Sequence, residues 1–221
     1  GIAEGDVFMK IAASEELMRC GSGGLVASLG SLDIGLPPIV KWGSDELRQR
    51  YAVPTLQGKT IAALAITEPS GGSDVAGLKT RAERVGDDYI VNGSKIYITS
   101  GIRADFYVTA VRTGGPGYAG ISLLVIDRNA PGVSTGKPLR KMGWWASDTA
   151  EVFFDNVKVP ASNLIGSENA GFMLIMSNFQ MERLNLAVMA NMTSTLALEE
   201  SLRWAKEREA FGKHLGRMPI I

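Results

Sequence analysis

The sequence has very few of the residues that ligate structural metals or form disulfide bridges. Its 221 residues include one cysteine, Cys20, and one histidine, His214. A structural zinc site needs a full tetrahedral set of Cys or His ligands, so we predict no metal site. A single cysteine also excludes an intrachain disulfide framework, and the lack of one is typical of a chain in a reducing compartment.

An excess of charge of one sign and a long apolar run are missing as well. The 23 lysines and arginines are balanced by 23 aspartates and glutamates, and there is no basic tract. This balance disfavours a nucleic-acid partner. No apolar run approaches the length of a membrane span, and the N-terminal GIAEGDVFMK has no signal-peptide pattern, so we predict no membrane segment. With 45% apolar residues, the composition is that of an ordinary packed protein.

The chain contains three regions of different periodicity. Residues 1 to about 60 have apolar residues at helical spacing, and Ser44 precedes the acidic start of a helix as an N-cap. From residue 61 to about 160, short runs rich in β-branched and aromatic residues alternate with turn signals, and Asn92-Gly93 predicts a hairpin turn. Helical periodicity returns near residue 170. We therefore predict an α+β fold in which an antiparallel β-barrel lies between helical segments.

Two stretches of the β-rich region carry polar groups that suit a ligand. In AITEPSGGSD, a strand ends at Thr67 and runs into a loop with Gly71 and Gly72, whose N–H groups and hydroxyls can hold an anion or a planar polar ring. Taken alone, such a loop favours a plain surface turn. In KIYITSG, a second strand delivers Tyr97 and Thr99 to its end.

These two stretches, in this order and spacing, resemble the acyl-CoA dehydrogenase family. The likeness covers nearly the whole chain and continues through KMGWWASDTAEVFFDNVKVPASNLIG, ENAGF, MERLNLA and KEREAFGK. It implies part of an N-terminal helical domain in residues 1–60, a middle β-barrel domain that binds flavin and acyl-CoA in residues 61–165, and the start of a C-terminal helical domain in residues 166–221. Family members are longer, so we expect most of the C-terminal helical domain to be missing.

The resemblance implies an FAD site formed by both stretches. Thr67 should face the pyrimidine side of the isoalloxazine ring, Ser73 should reach the flavin and the CoA arm, and Thr99 should bond near N5, with Tyr97 beside the ring. Donors aimed at N1 and O2 stabilise the negative charge of the reduced flavin. The implied cofactor residues are Leu64, Ala65, Ile66, Thr67, Gly72, Ser73, Tyr97, Ile98, Thr99 and Arg208.

Glu182, in the stretch QMERLNLA, is the candidate catalytic residue. None of its helical neighbours at i±3 and i±4 is cationic, and Ile175 and Met189 lie one turn further out on the same face. An apolar surrounding raises the pKa of a carboxyl group and makes it a better base. The resemblance implies that Glu182 removes the α-proton of an acyl-CoA thioester while the β-hydrogen leaves as hydride to flavin N5. The alternative is that Glu182 and Arg183 merely balance charge in a helix bundle.

The resemblance also implies substrate contacts and partners. The implied substrate residues are Ser73, Met173, Gln180, Met181 and Arg183. A flexible Met173, where the isovaleryl-type enzyme has an aromatic residue, favours a medium or long acyl chain. An electron-transfer flavoprotein would accept the electrons in fatty-acid β-oxidation or branched-chain acyl catabolism, in a bacterial cytoplasm or a mitochondrial matrix.

A homo-oligomer, either a dimer or a tetramer, is implied by Arg208, which in the family reaches the flavin of a neighbouring subunit. Without the resemblance, Arg208 is a solvated helix charge. Two other functions stay open. One is an acyl-CoA oxidase or flavin monooxygenase of the same fold, and the other is a non-catalytic flavin or acyl-CoA binding module.

Overall fold

The computed structural model describes residues 6–219, so the start of the predicted N-terminal helical region and the last two residues lie outside the description. The chain divides into two compact units. The larger, here called the sheet unit, is Gly23–Glu182. The smaller, called the terminal unit, joins Gly1–Ser22 and Arg183–Ile221. The domain boundaries predicted near residues 60 and 165 stay predictions.

The sheet unit begins with a run of short helices. They are α2 (Gly23–Gly35), α3 (Pro37–Trp42), α4 (Asp45–Leu47), a π-helical turn (Arg48–Ala52) and α5 (Val53–Leu56). Proline at the first position of α3 suits a helix start, because its missing N–H would have no partner there. At the start of α4, the hydroxyl of Ser44 accepts a hydrogen bond from the Leu47 N–H at 3.2 Å. The N-cap predicted at Ser44 is therefore confirmed.

An eight-stranded sheet forms the centre of this unit. Its strands are β1 (Ala62–Ala65), β2 (Arg81–Val85), β3 (Asp88–Thr99), β4 (Phe106–Arg112), β5 (Ile121–Asp127), β6 (Val133–Thr135), β7 (Thr149–Pro160) and β8 (Leu164–Ile165). Neighbouring strands follow the order β6-β7-β3-β2-β4-β5-β8, and β1 pairs with β4 off this path. Among the described residues the pairs are antiparallel except for β1–β4 and β2–β4.

The predicted α+β class is confirmed, but the sheet does not close into a barrel. Closure requires the two end strands to pair with each other. The end strands β6 and β8 have only three and two residues, and in the described chain they pair with β7 and β5 instead. Strands this short offer too few hydrogen bonds to close the sheet, and short edge strands protect an open sheet from pairing further.

The hairpin turn predicted at Asn92-Gly93 is wrong. Both residues lie inside β3, whose pairing with β7 shifts register between Val91 and Gly93. Gly93 has a φ of 149°, and a Cβ there would be 2.6 Å from Thr80 Oγ1 and 2.7 Å from Thr80 Cα. Glycine is therefore required by a bulge and a close backbone approach and not by a turn. The chain turns instead at Gly86, whose φ is 60°.

The sheet is buried on both faces by two clusters of apolar side chains. Strand β4 alternates between them, with Phe106 and Val108 in the first cluster and Tyr107 and Val111 in the second. The first cluster also holds Ile39 of α3, Leu47 of α4 and Tyr51 of the π-helical turn. It also holds Ile175 near the start of the long helix α6 (Gly171–Glu207), so α3, α4, the π-helical turn and the start of α6 pack on that face of the sheet.

Among residues 6–219, one apolar helical stretch is long enough to cross a membrane by length and composition. It is Gly23–Trp42, with 20 residues and a mean hydropathy of 1.4. The expectation that no run approaches this length was wrong. In the sheet unit the stretch is divided between α2 and α3 at Leu36, and it contributes Leu36 and Ile39 to the first cluster, as core helices of packed proteins do.

The described part of the terminal unit contains helix α1 (Val7–Met18), the part of α6 from Arg183 onward, and a two-stranded hairpin of β9 (Glu209–Ala210) and β10 (Lys213–His214). Asp6 caps α1 by accepting a hydrogen bond from the Phe8 N–H at 3.0 Å.

Candidate functional site

The loop after β1 is closed by its own backbone. The N–H of Glu68 donates to the Gly71 carbonyl at 3.1 Å, and the N–H of Gly71 donates to the Glu68 carbonyl at 3.0 Å. Gly72 then lies against Thr67, because a Cβ at Gly72 would be 3.0 Å from Thr67 Cγ2. Glycine at this position lets the loop backbone approach the end of β1 closely.

The end of β3 is irregular, and the irregularity joins it to this loop. The pairing of β3 with β7 shifts register between Lys95 and Ile98. Within the shift, the N–H of Ile96 donates to the Thr67 carbonyl at 2.9 Å. Tyr97 follows with a φ of 60° and a side chain that is 66% exposed. A bulge of this kind re-aims side chains, and here it brings the two predicted stretches into contact.

The four hydroxyl-bearing residues predicted to contact the flavin are all accessible. Thr67 and Thr99 are half-buried, and Ser73 and Tyr97 are exposed. Within residues 6–219, none of their hydroxyl groups hydrogen-bonds to another residue. These hydroxyl groups lie on the loop after β1 and at the end of β3, and they have no hydrogen-bond partner among the described residues. Such groups can hydrogen-bond to the polar edge of a flavin ring, so the residues present fit the implied cofactor.

Three of the other predicted cofactor residues can offer only their backbone. The side chains of Ala65 and Ile98 are buried in the second cluster and that of Ile66 in the first. Leu64 is half-buried, and Gly72 is exposed. A ligand at this surface would therefore meet side-chain donors chiefly at the hydroxyl residues.

Glu68 and Lys95, for which no role was predicted, form a buried ion pair that joins the two stretches. Lys95 Nζ lies 2.9 Å from Glu68 Oε1, and the side chains are 0% and 4% exposed. Burial lowers the pKa of Lys95 to about 8, against the attraction of Glu68. Burial also raises the pKa of Glu68, but the charge of Lys95 and the hydrogen bonds that the carboxylate accepts outweigh it, so this pKa lies below its ordinary value.

A second carboxylate that sequence reasoning missed fixes the turn after Thr99. Asp148 Oδ2 accepts a hydrogen bond from the Ile102 N–H at 2.8 Å, and Oδ1 accepts one from Arg103 Nε at 2.6 Å. The Asp148 carbonyl accepts a third bond from the Ser100 N–H at 3.0 Å. Ile102 and Asp148 are 46 residues apart in the sequence, so no local pattern could indicate this contact.

Helix α6 carries Glu182 beyond a well-anchored segment. Ile175 is buried in the first cluster, and Asn178 Nδ2 donates to the Ile34 carbonyl at 2.9 Å. Glu182 lies one turn after Asn178 and is half-buried. Of the predicted substrate residues on this helix, Met181 is half-buried, whereas Met173 and Gln180 are exposed.

Two predicted arginines belong to the terminal unit. Arg183 and Arg208 are both exposed. The backbone of Arg208 is held by the Trp204 carbonyl at 2.8 Å and by the Leu215 N–H at 2.9 Å. The roles predicted for these two residues stay predictions.

Two cavities of the sheet unit are lined by residues other than the predicted ones. A cavity of about 500 Å³ is lined by Ala76–Lys79, Arg81, Arg112 and Gly114–Gly117. Another, of about 680 Å³, is lined by Arg103, Pro138–Lys141 and Trp145–Asp148. Neither is lined by a residue predicted to bind cofactor or substrate.

Comparison with known proteins identifies the family. Residues 1–59, 63–157 and 169–221 match the N-terminal, middle and C-terminal domains of acyl-CoA dehydrogenase. The chain belongs to the acyl-CoA dehydrogenase family.

Individual relatives agree with this assignment. An acyl-CoA dehydrogenase of Emericella nidulans is 45% identical over 94% of this chain and 48% of its own length. The mitochondrial long-chain specific acyl-CoA dehydrogenase of Sus scrofa is 38% identical over 98% of this chain and 51% of its own. The chain thus spans about half the length of the curated relatives it matches.

Solved structures share the fold. A probable acyl-CoA dehydrogenase from Mycobacterium abscessus superposes with a TM-score of 0.96 at 53% identity, over 98% of this chain and 58% of that one. A prolyl acyl carrier protein oxidase superposes with a TM-score of 0.90 at 31% identity, over 99% of this chain and 58% of that one.

Proposed function

We propose that this chain takes part in the flavin-dependent α,β-dehydrogenation of an acyl-CoA thioester. The observation that carries the proposal is the contact between the two motif stretches, where the Ile96 N–H bonds to the Thr67 carbonyl at 2.9 Å. This contact joins the strand ends that bear uncommitted hydroxyls. Family membership supplies the reaction class, and the site residues supply the chemistry.

The residues of the sheet unit would hold FAD. Thr67 and Thr99 would donate hydrogen bonds to the ring edge, and Ser73 would reach both the flavin and the CoA arm. The exposed Tyr97 side chain would pack beside the ring. The chemistry that FAD supplies when bound is acceptance of a hydride at N5.

Glu182 would act as the general base. Its half-buried position on α6, next to a segment packed on the apolar core, suits a carboxylate that takes the α-proton made acidic by the thioester carbonyl. Met173, Gln180 and Met181 would contact the acyl-CoA, and Arg183 would help to shape the site. A flexible Met173 favours a medium or long acyl chain over a short branched one.

Partners follow from the same proposal. An electron-transfer flavoprotein would accept the electrons, and Arg208 would reach the flavin of a neighbouring copy in a homodimer or homotetramer. The known relatives include enzymes of Bacillus subtilis and of mitochondria. We therefore propose a bacterial cytoplasm or a mitochondrial matrix as the location.

Flavin binding and reduction test the proposal. The purified protein is saturated with FAD, freed of unbound flavin, and mixed anaerobically with a series of saturated acyl-CoA thioesters. We expect the flavin absorbance to bleach and a trans-enoyl-CoA product to form. Failure to retain FAD, or bound flavin that stays oxidised with every thioester, would contradict the proposed reaction.

An acyl-thioester oxidase is the second candidate, and the structural likeness to a prolyl acyl carrier protein oxidase favours it. An oxidase lets oxygen reach the reduced flavin, whereas a dehydrogenase passes the electrons to a protein acceptor. Measurement of hydrogen peroxide during aerobic turnover separates them. Peroxide formed in equal amount to the enoyl product would indicate the oxidase.

A further inference from the structure

The ion pair of Glu68 and Lys95 connects three segments around the proposed flavin surface. Lys95 Nζ donates to the Ile66 carbonyl at 3.0 Å as well as to Glu68 Oε1 at 2.9 Å. The Glu68 carboxylate in turn accepts the N–H of Lys79 at 2.6 Å and the N–H of Thr80 at 2.8 Å. The pair thus ties the loop after β1 to β3 and to the chain that leads into β2.

Compared with an apolar pair of similar size, the ion pair gives no advantage in folding stability. Moving two charges out of water is costly, and replacement of a buried ion pair by apolar residues of similar size is often neutral or stabilising. The pKa of Lys95, lowered to about 8, reflects that cost, although the side chain stays largely protonated at neutral pH. The ion pair instead contributes geometry, because charge-assisted hydrogen bonds are directional and fix the positions of the segments that they join.

That geometry concerns the proposed flavin contacts directly. Thr67 lies between Ile66 and Glu68. The Ile66 carbonyl and the Glu68 carboxylate both accept hydrogen bonds from Lys95 Nζ. Tyr97 and Thr99 follow Lys95 by two and four residues on the same strand. Both halves of the proposed site are therefore anchored to one buried ammonium group.

We propose that Glu68 and Lys95 are positioning residues, which hold the loop of Thr67 at a fixed distance from the β3 end with Tyr97 and Thr99 and thereby preorganise the flavin-binding surface. This inference rests on the proposed function, since it needs FAD at that surface. The pair itself is too deeply buried to touch the cofactor. Without it, the loop keeps its chain connection and its Ile96 contact but loses the bond to the Ile66 carbonyl.

The test compares variants of the pair with a matched control in the same sheet. Glu68→Gln combined with Lys95→Met removes both charges at nearly constant volume, whereas Lys95→Met alone leaves a carboxylate buried without its cation. Lys158→Gln is the control, because Lys158 lies on β7, the strand paired with β3, and its exposed side chain forms an ion pair with the half-buried Asp88 of β3 at 3.0 Å. FAD affinity is measured by fluorescence quenching, and the visible circular dichroism of bound flavin reports its orientation.

We expect the double variant to unfold at a denaturant concentration close to that of the wild type. Its FAD dissociation constant should rise about tenfold or more, which corresponds to roughly 1.4 kcal/mol, and the visible dichroism should change. The control should match the wild type in both measurements.

Three results would overturn the inference. If the double variant binds FAD with wild-type affinity and dichroism, the pair does not position the site, although the proposed function stands. If its apoprotein is unfolded where the wild type is folded, the pair is a stability element. If the wild type and the control bind no FAD, the proposed function fails and the inference fails with it.

Discussion

Replacement of Gly93 by alanine tests the bulge that brings β3 into its position. Gly93 has a φ of 149°, a region that residues with a side chain rarely adopt. The new Cβ would also lie 2.7 Å from the Cα of Thr80, a backbone atom that cannot rotate away. Gly86 provides the matched control, because its φ of 60° is also positive but no atom lies within 4 Å of a Cβ there.

The expected magnitude is the sum of two effects. Backbone strain at such a φ costs about 1–3 kcal/mol, and displacement of packed neighbours costs about 1–3 kcal/mol more. The two effects together amount to about 2–6 kcal/mol, and we expect Gly93→Ala to lower the free energy of unfolding by about 3 kcal/mol. Gly86→Ala has only the left-handed conformation to oppose it, which costs about 1 kcal/mol.

Urea denaturation followed by circular dichroism measures the difference. With a slope of about 2 kcal/mol per molar, the midpoint of Gly93→Ala should fall by about 1.5 M and that of Gly86→Ala by about 0.5 M. Equal midpoints for the two variants would refute the reasoning, because they would mean that β3 does not approach Thr80 as described.

Two further predictions concern charged groups. Arg112→Lys keeps the charge but loses the planar guanidinium group. We expect the free energy of unfolding to fall by about 2 kcal/mol and hydrogen exchange in residues 114–117 to become faster. Unchanged exchange would contradict this prediction. The guanidinium donates to the carbonyls of Ala76, Leu78, Gly115 and Gly117. The pKa of Glu68 in the folded protein lies below its ordinary value of 4.5, which applies to the unfolded chain. The ionised carboxylate therefore contributes to stability above pH 4.5, and this contribution is lost as the pH falls through the lower pKa of the folded state. Glu68→Gln should therefore show a shallower loss of stability below about pH 4.5 than the wild type, and an equal slope in urea titrations would refute it.

Local signals in the sequence predicted much of the secondary structure. The N-cap at Ser44 and the strand runs are short-range patterns, and the structure contains them. Asn92-Gly93 misled, because the same dipeptide serves a hairpin turn and a bulge with close backbone approach, and only the neighbouring Thr80 distinguishes them. Local patterns could not predict whether the sheet closes, because closure depends on how many hydrogen-bonded residue pairs the two end strands can form with each other.

In the candidate site too, local motifs predicted individual residues but not the long-range contacts that bring them together. Motif resemblance selected Thr67, Tyr97 and Thr99, but it gave no reason why their segments should meet. That reason lies in the hydrogen bond from Ile96 and in the buried pair of Glu68 and Lys95, whose members are 27 residues apart in sequence. Contacts over such distances depend on strand register and not on any local pattern.

The central claim, that Glu182 is the base of an acyl-CoA dehydrogenation, is tested most directly by the rate of anaerobic flavin reduction in a Glu182→Gln variant. The matched control is Glu199→Gln, which changes an exposed carboxylate on the same helix. We predict that both variants bind FAD and acyl-CoA as the wild type does, and that only Glu182→Gln reduces its flavin about a hundredfold more slowly, the lower scale for loss of a positioned general base. Reduction of Glu182→Gln at the wild-type rate, or loss of FAD binding by this variant, would contradict the assignment.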